Sequence, residues 1–193
     1  MANNKSALLV MDVQQGIVEM VSGGSKEFLT PWKNAIQAGR NADIPVMYVR
    51  VGFRSGYPEV SANNQFFSAI TTYGGFVDSE SSTQVHPEVA PHDGDLVVVK
   101  RRVSAFTGSD LEVALRSKQI DTLVLTGIST SGVVLSTLRE ASDKDYKLIV
   151  LSDACADHDE EVHRVLTEKV FPSQAQVTTV AEWAQSLGVG MLA

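Results

Sequence analysis

The sequence predicts a three-layer α/β fold, in which a parallel sheet is sandwiched between helices. Three observations carry this. Short, continuous runs rich in Val, Leu and Ile recur along the chain, as expected of strands buried on both faces. Segments with apolar residues at helical spacing alternate with those runs, and strand–helix alternation builds a parallel sheet covered on both sides. The chain of 193 residues with 44% hydrophobic content is large enough for one core, so residues 1–193 read as a single domain.

The strands are expected at Ala7–Met11, Val46–Val51, Leu96–Val99, Leu123–Leu125 and Leu148–Leu151, with a weaker sixth at Val177–Val180. Helices are expected between them. Trp32–Ala42 places Trp32, Ala35, Ile36 and Ala42 at helical spacing, and Asp110–Lys118 starts on an acidic cap with Leu111 and Leu115 four apart. Ser131–Asp143 carries Val134, Leu135, Leu138 and Ala141 on one face; Glu160–Val170 follows, and Ala181–Leu187 closes the chain. The rhythm breaks over Gly52–Asp95, too long for an ordinary connection. Its aromatics (Phe53, Tyr57, Phe66, Phe67, Tyr73, Phe76) argue against disorder. This stretch reads as a structured excursion with a short helix near Asn63–Thr71, partly covering a site.

Composition narrows the function. A net charge of −7 with interspersed signs argues against nucleic acid or anionic membranes as partners. No apolar run approaches a membrane span, and the short polar start is unlike a signal peptide, so a cytoplasmic protein is expected. One cysteine, Cys155, leaves no intrachain disulfide and no multi-cysteine metal site. His86, His92, His158 and His163 are scattered without metal-ligand spacing. Neither a metal nor a cofactor is expected.

Chemistry is expected beyond the carboxyl ends of the strands, where open α/β sheets bind ligands. Asp12 ends the first run. A carboxylate there needs partners, either as a cap or loop acceptor or as a functional group. Lys100 ends the third run and heads Lys100-Arg101-Arg102; alone it would read as a solvated flank, but it shares the sheet edge with Asp12. Gly127–Val133 turns from a strand into a helix whose first N–H groups could receive an anion or could simply be capped.

Four stretches in order, ALLVMDVQQG, VVVKRRVSAFTGSDLEVAL, LTGISTSGVVLSTLREASDKDY and LSDACADHDEEVH, resemble the isochorismatase-like cysteine hydrolases over nearly the whole chain. The resemblance implies a Rossmann-like α/β/α sandwich with a six-stranded parallel sheet, a homodimer or higher homo-oligomer, and hydrolysis of a small-molecule substrate. By position, Asp12 looks like the acid or base and Lys100 its electrostatic partner. Ile128–Ser129 looks like a cis peptide, and the N–H groups of Ser129 and Val133 look like an oxyanion hole. Gln14, Phe53, Tyr57, Phe106 and Ser131 are candidates for the substrate pocket.

Val133 stands where the family keeps its nucleophilic cysteine, so thioester chemistry is excluded at that position. Ser129, Ser131 and Ser136 are nearby hydroxyls without an evident histidine base. Gly52–Glu59 lacks the Asp and His of the family's metal-binding members. Two functions are therefore expected as alternatives: a hydrolase working through Asp12 and Lys100 without a cysteine, or an inactive scaffold that binds a small molecule in the same crevice.

Overall fold

The structure, a computed structural model, describes residues 5–22, 25 and 27–189. Six strands form one parallel sheet in the order β3-β2-β1-β4-β5-β6. They are β1 (Ser6–Met11), β2 (Val46–Val51), β3 (Leu96–Lys100), β4 (Thr122–Ile128), β5 (Lys147–Ala156) and β6 (Gln176–Thr178). The chain winds outward from β1 to β3, then crosses back to β4 on the other side of β1. Its direction of winding reverses between β1 and β4, and a crevice opens at such a reversal.

Alternation along the strands divides the core into two layers. Ala7, Leu9 and Met11 point to the layer that holds Leu111 and Leu115 of α5 (Leu111–Ser117) and Leu138 and Ala141 of α6 (Leu135–Asp143). Leu8 and Val10 point the other way. They meet Trp32, Ala35 and Ile36 of α2 (Thr30–Asn41) and Trp183 and Ala184 of α8 (Val180–Ser186). β4 is buried along its full length, as its uninterrupted apolar sequence predicts.

Several boundaries differ from the expectation for physical reasons. β5 runs on to Ala156 because its pairing with β4 slips between Leu125 and Gly127: Leu125 opposes Val150, yet Gly127 opposes Cys155. Val180 leaves the sixth strand to begin α8, where Thr179 and Glu182 form a reciprocal capping box. Asp110 precedes α5 but its side chain makes no cap; Ser109 Oγ accepts the Leu111 N–H instead, at 3.2 Å. Residues 131–134 and 166–170, expected as α-helix, are wound in wider π-type turns preceding α6 and following α7 (Glu160–Val165). A helix not expected from the sequence, α1 (Gln15–Ser22), follows β1 directly. It is only eight residues long, with Gly16 in its first turn, so it offers little periodicity to read.

The excursion between β2 and β3 is ordered around a small cluster of Val51, Phe53 and Phe67, with Tyr57, Phe76 and Val103 against it. It contains α3 (Gln65–Ser68) and α4 (Ile70–Tyr73), close to the expected short helix. The Lys-Arg-Arg run explains its attachment. Arg101 pairs with Asp78 at 2.9 Å and with Glu59 at 3.5 Å, and Arg50 of β2 adds a second bond to Asp78 at 3.2 Å. Arg102 donates to the Glu59 carbonyl at 3.0 Å. These arginines fasten a loop to the sheet edge. Among the described residues no helix is long and apolar enough to cross a membrane.

Candidate active site

Register brings the site together. Met11 is level with Val49 on one neighbour and Gly127 on the other, and Val51 is level with Lys100. The residues that end β1, β3 and β4 therefore converge at one edge, on the crevice where the sheet order reverses. There Asp12, Lys100, Ile128, Ser129 and Val133 line a cavity of about 430 Å³. This volume suits a small metabolite.

Asp12 adopts a left-handed backbone, φ 56°, which aspartate tolerates better than most residues. Its N–H still bonds the Val49 carbonyl at 2.8 Å, so the turn begins within the sheet's hydrogen-bond ladder. The side chain is almost fully buried. Oδ2 lies 2.9 Å from Lys100 Nζ, and Lys100, 2% exposed, also donates to the Arg102 carbonyl at 3.0 Å. Oδ1 has no hydrogen-bond partner. Burial raises the Asp12 carboxyl above the usual carboxylate range, outweighing the opposing pull of the Lys100 ammonium. The pair thus holds a carboxyl group whose hold on a proton burial strengthens, with one oxygen uncommitted.

The Ile128–Ser129 peptide is cis. Gly127, before it, has φ 154°, and a Cβ there would overlap the Met11 carbonyl oxygen. At Gly132 a Cβ would come 2.6 Å from Ser129 Oγ, a side-chain atom that can rotate away. Val133 presents a buried methyl surface to the cavity and also packs into the core layer of α6. Ser129 and Ser131 line the cavity, but neither hydroxyl bonds a histidine. Ser136 is not among the lining residues. Cys155 is buried away from the cavity, and burial pushes its thiol up to about 12, so it carries no thiolate at neutral pH.

Four of the five expected pocket residues lie elsewhere. Gln14 is fully buried and structural: its amide donates to the Val51 and Thr83 carbonyls at 2.9 and 2.6 Å and accepts the Val51 N–H at 2.9 Å. Phe53 is the centre of the cluster beneath the excursion, stacking edge-on with Phe67 at 5.3 Å. Tyr57 packs on that cluster and donates to the Gly75 carbonyl at 3.0 Å. Phe106 lies in the opposite core layer against Tyr146. Only Ser131 lines the cavity. Its wall is made instead by Phe66, Phe67, Ile70 and Phe76 of the excursion and by Ile17 and Val21 of α1.

Two polar lining residues escaped sequence reasoning, Asp157 and His158. Asp157 follows β5 as Asp12 follows β1, so the same strand-end rule could have found it. The fifth strand was expected to stop at Leu151, before the slip in register that carries it to Ala156. Asp157 Oδ2 accepts the Ser131 N–H at 2.7 Å, at the first turn of the helical segment after the cis peptide. Among the described residues no three His, Cys, Asp or Glu gather as a metal site would require.

The chain is similar to known proteins over nearly its whole length. The family model for the isochorismatase domain matches residues 6–182. The isochorismatase family protein YecD of Escherichia coli O157:H7 is 32% identical over 192 residues, covering 94% of this chain and 96% of its own. The ureidoacrylate amidohydrolase RutB of Methylobacterium radiotolerans is 30% identical over 206 residues, covering 94% of this chain and 79% of its own. An isochorismatase family protein from Burkholderia thailandensis superposes with a TM-score of 0.81 at 28% identity, covering 98% of each chain.

Proposed function

This chain belongs to the isochorismatase family of hydrolases, and we propose that it hydrolyses a small metabolite through Asp12 and Lys100 without a cysteine nucleophile. The observation that carries this reading is the unpartnered Asp12 Oδ1 on a carboxyl, beside Lys100, whose hold on a proton burial strengthens. In this reading protonated Asp12 donates its proton to the substrate, weakening a C–O or C–N bond. Lys100 stabilises the carboxylate left behind. Water adds to the electron-poor carbon, the bond to the leaving group breaks, and the proton lost by that water returns to Asp12. The N–H groups of Ser129 and Val133 are placed by the resemblance to receive negative charge developing on a substrate oxygen. An amidohydrolase among the relatives supports hydrolysis of a small molecule as the reaction class.

The pH dependence of kcat/KM tests the assignment. An acid must be protonated in the free enzyme, so activity falls as pH rises through the raised Asp12 pKa. Lys100 lowers that pKa, so Lys100→Met moves the falling limb to higher pH while reducing the rate. Activity that rises with pH over the same range would make Asp12 a base and overturn the acid role.

The second reading is a small-molecule-binding module that has lost turnover. Val133 favours it, since the position at which the resemblance places a nucleophile presents only methyl groups. In that case ligands raise thermal stability but are recovered unchanged.

A further inference from the structure

The lining of the cavity limits the charge of what can enter it. The wall of Phe66, Phe67, Ile70 and Phe76 suits an aromatic or aliphatic body. Among the described lining residues Lys100 is the one Lys or Arg, and its ammonium is already held by Asp12 and the Arg102 carbonyl. The next cations in sequence are engaged elsewhere: Arg101 with Asp78, Glu59 and the Gly52 carbonyl, Arg102 with the carbonyls of Arg101 and Glu59. Asp157 adds a second carboxylate to the lining. Its Oδ2 takes the Ser131 N–H, a group at a helix start that would otherwise be free to receive a substrate carboxylate.

The charges can then be counted in both protonation states of Asp12. With Asp12 ionised, two carboxylates face one ammonium. With Asp12 protonated, Asp157 and Lys100 balance. Neither state leaves a positive charge to receive an anion, and a carboxylate entering this apolar cavity would lose hydration with only the Ser129 and Val133 N–H groups to face and no counter-charge. We propose that the site selects uncharged or cationic molecules with an apolar body, and that Asp157 sets this preference by excluding carboxylated ones. The proposal deepens the hydrolase reading and rests on its identification of this cavity as the substrate site.

Calorimetric titration of the purified chain with phenylacetamide, 2-phenylethylamine and phenylacetate tests it, since the three share one aromatic body and differ in charge. All three titrations are run at pH 8. The amide and the amine are expected to bind at least about tenfold tighter than phenylacetate. Asp157→Asn keeps an acceptor for the Ser131 N–H and is expected to narrow that gap to about threefold or less. Phenylacetate binding as tightly as the amide, a gap unchanged by Asp157→Asn, or no binding of any of the three would overturn the proposal. Binding needs no turnover, so absence of hydrolysis with this ranking intact would remove the hydrolase reading alone. Hydrolysis confined to carboxylated substrates would leave the hydrolase reading and remove the charge preference.

Discussion

Asp12 and Lys100 lie in contact, yet for the Asp12 carboxyl burial outweighs the attraction of the ammonium. Removing two charges from water costs several kcal/mol per ion, and their attraction recovers this only with good geometry. The 2.9 Å contact supplies geometry on one carboxyl oxygen and leaves the other bare. Such an arrangement is poor structural design and reasonable catalytic design. The same scale separates the two sulfur questions. Cys155 is inert by burial, so iodoacetamide is expected to leave the native protein unlabelled and its turnover unchanged. Val133→Cys, a change of small volume costing about 1.5 kcal/mol or less, turns a thiol onto the wall of the Asp12 cavity, which Cys155 does not line, and is expected to add one labelled site, read by mass spectrometry. Loss of turnover in the alkylated parent would instead make Cys155 functional. At this scale the strand-end rule identified Asp12 and Lys100, because a charge that closes a buried strand is conspicuous in sequence. Gln14, Phe53, Tyr57 and Phe106 were not legible: the first three depend on how the excursion folds back, and Phe106 packs on Tyr146 in the core layer of α5 and α6, which no local pattern encodes.

At the scale of elements, the site depends on three strands ending within two residues of one another in register and on a backbone that passes unusually close at β4. Gly127 lies beside the Met11 carbonyl at φ 154°, where a side chain is both sterically blocked and conformationally strained. Gly127→Ala is expected to cost about 3 kcal/mol of stability, measured by chemical denaturation, because the clash is with backbone that cannot move without disturbing the β1–β4 ladder. A loss below about 1 kcal/mol would mean the two strands have more room than this packing allows. The strands and α2, α5 and α6 were legible from apolar periodicity. The extension of β5 and the helix α1 were not, since each arises from tertiary pairing: a slip against β4, and a short helix held by the excursion through Gln14 and Gln15.

For the whole molecule, the sheet, the two core layers and the position of the crevice follow from strand–helix alternation, while the wall of the crevice comes from the excursion fastened by Arg50, Arg101 and Arg102. Helices at the cavity mouth expose Met20, Phe66 and Tyr73, with Phe66 at 71% and Tyr73 at 87% exposure. Large apolar side chains left open on the elements that frame a site fit the homo-oligomer that the resemblance implies. Sedimentation velocity is expected to find a dimer or larger species that Phe66→Glu weakens; a monomer at micromolar concentration would contradict this. The family gives the kind of enzyme this scaffold makes, and Val133, where the resemblance puts the family's nucleophile, carries no nucleophilic atom. The central claim is that Asp12 does the work in its place. The most direct test is turnover by the parent and by Asp12→Asn, shown by circular dichroism to be folded, on one panel of amides, N-carbamoyl compounds, esters and enol ethers. The account predicts measurable turnover by the parent and a loss of about a hundredfold or more in Asp12→Asn. Turnover that survives the substitution would contradict it.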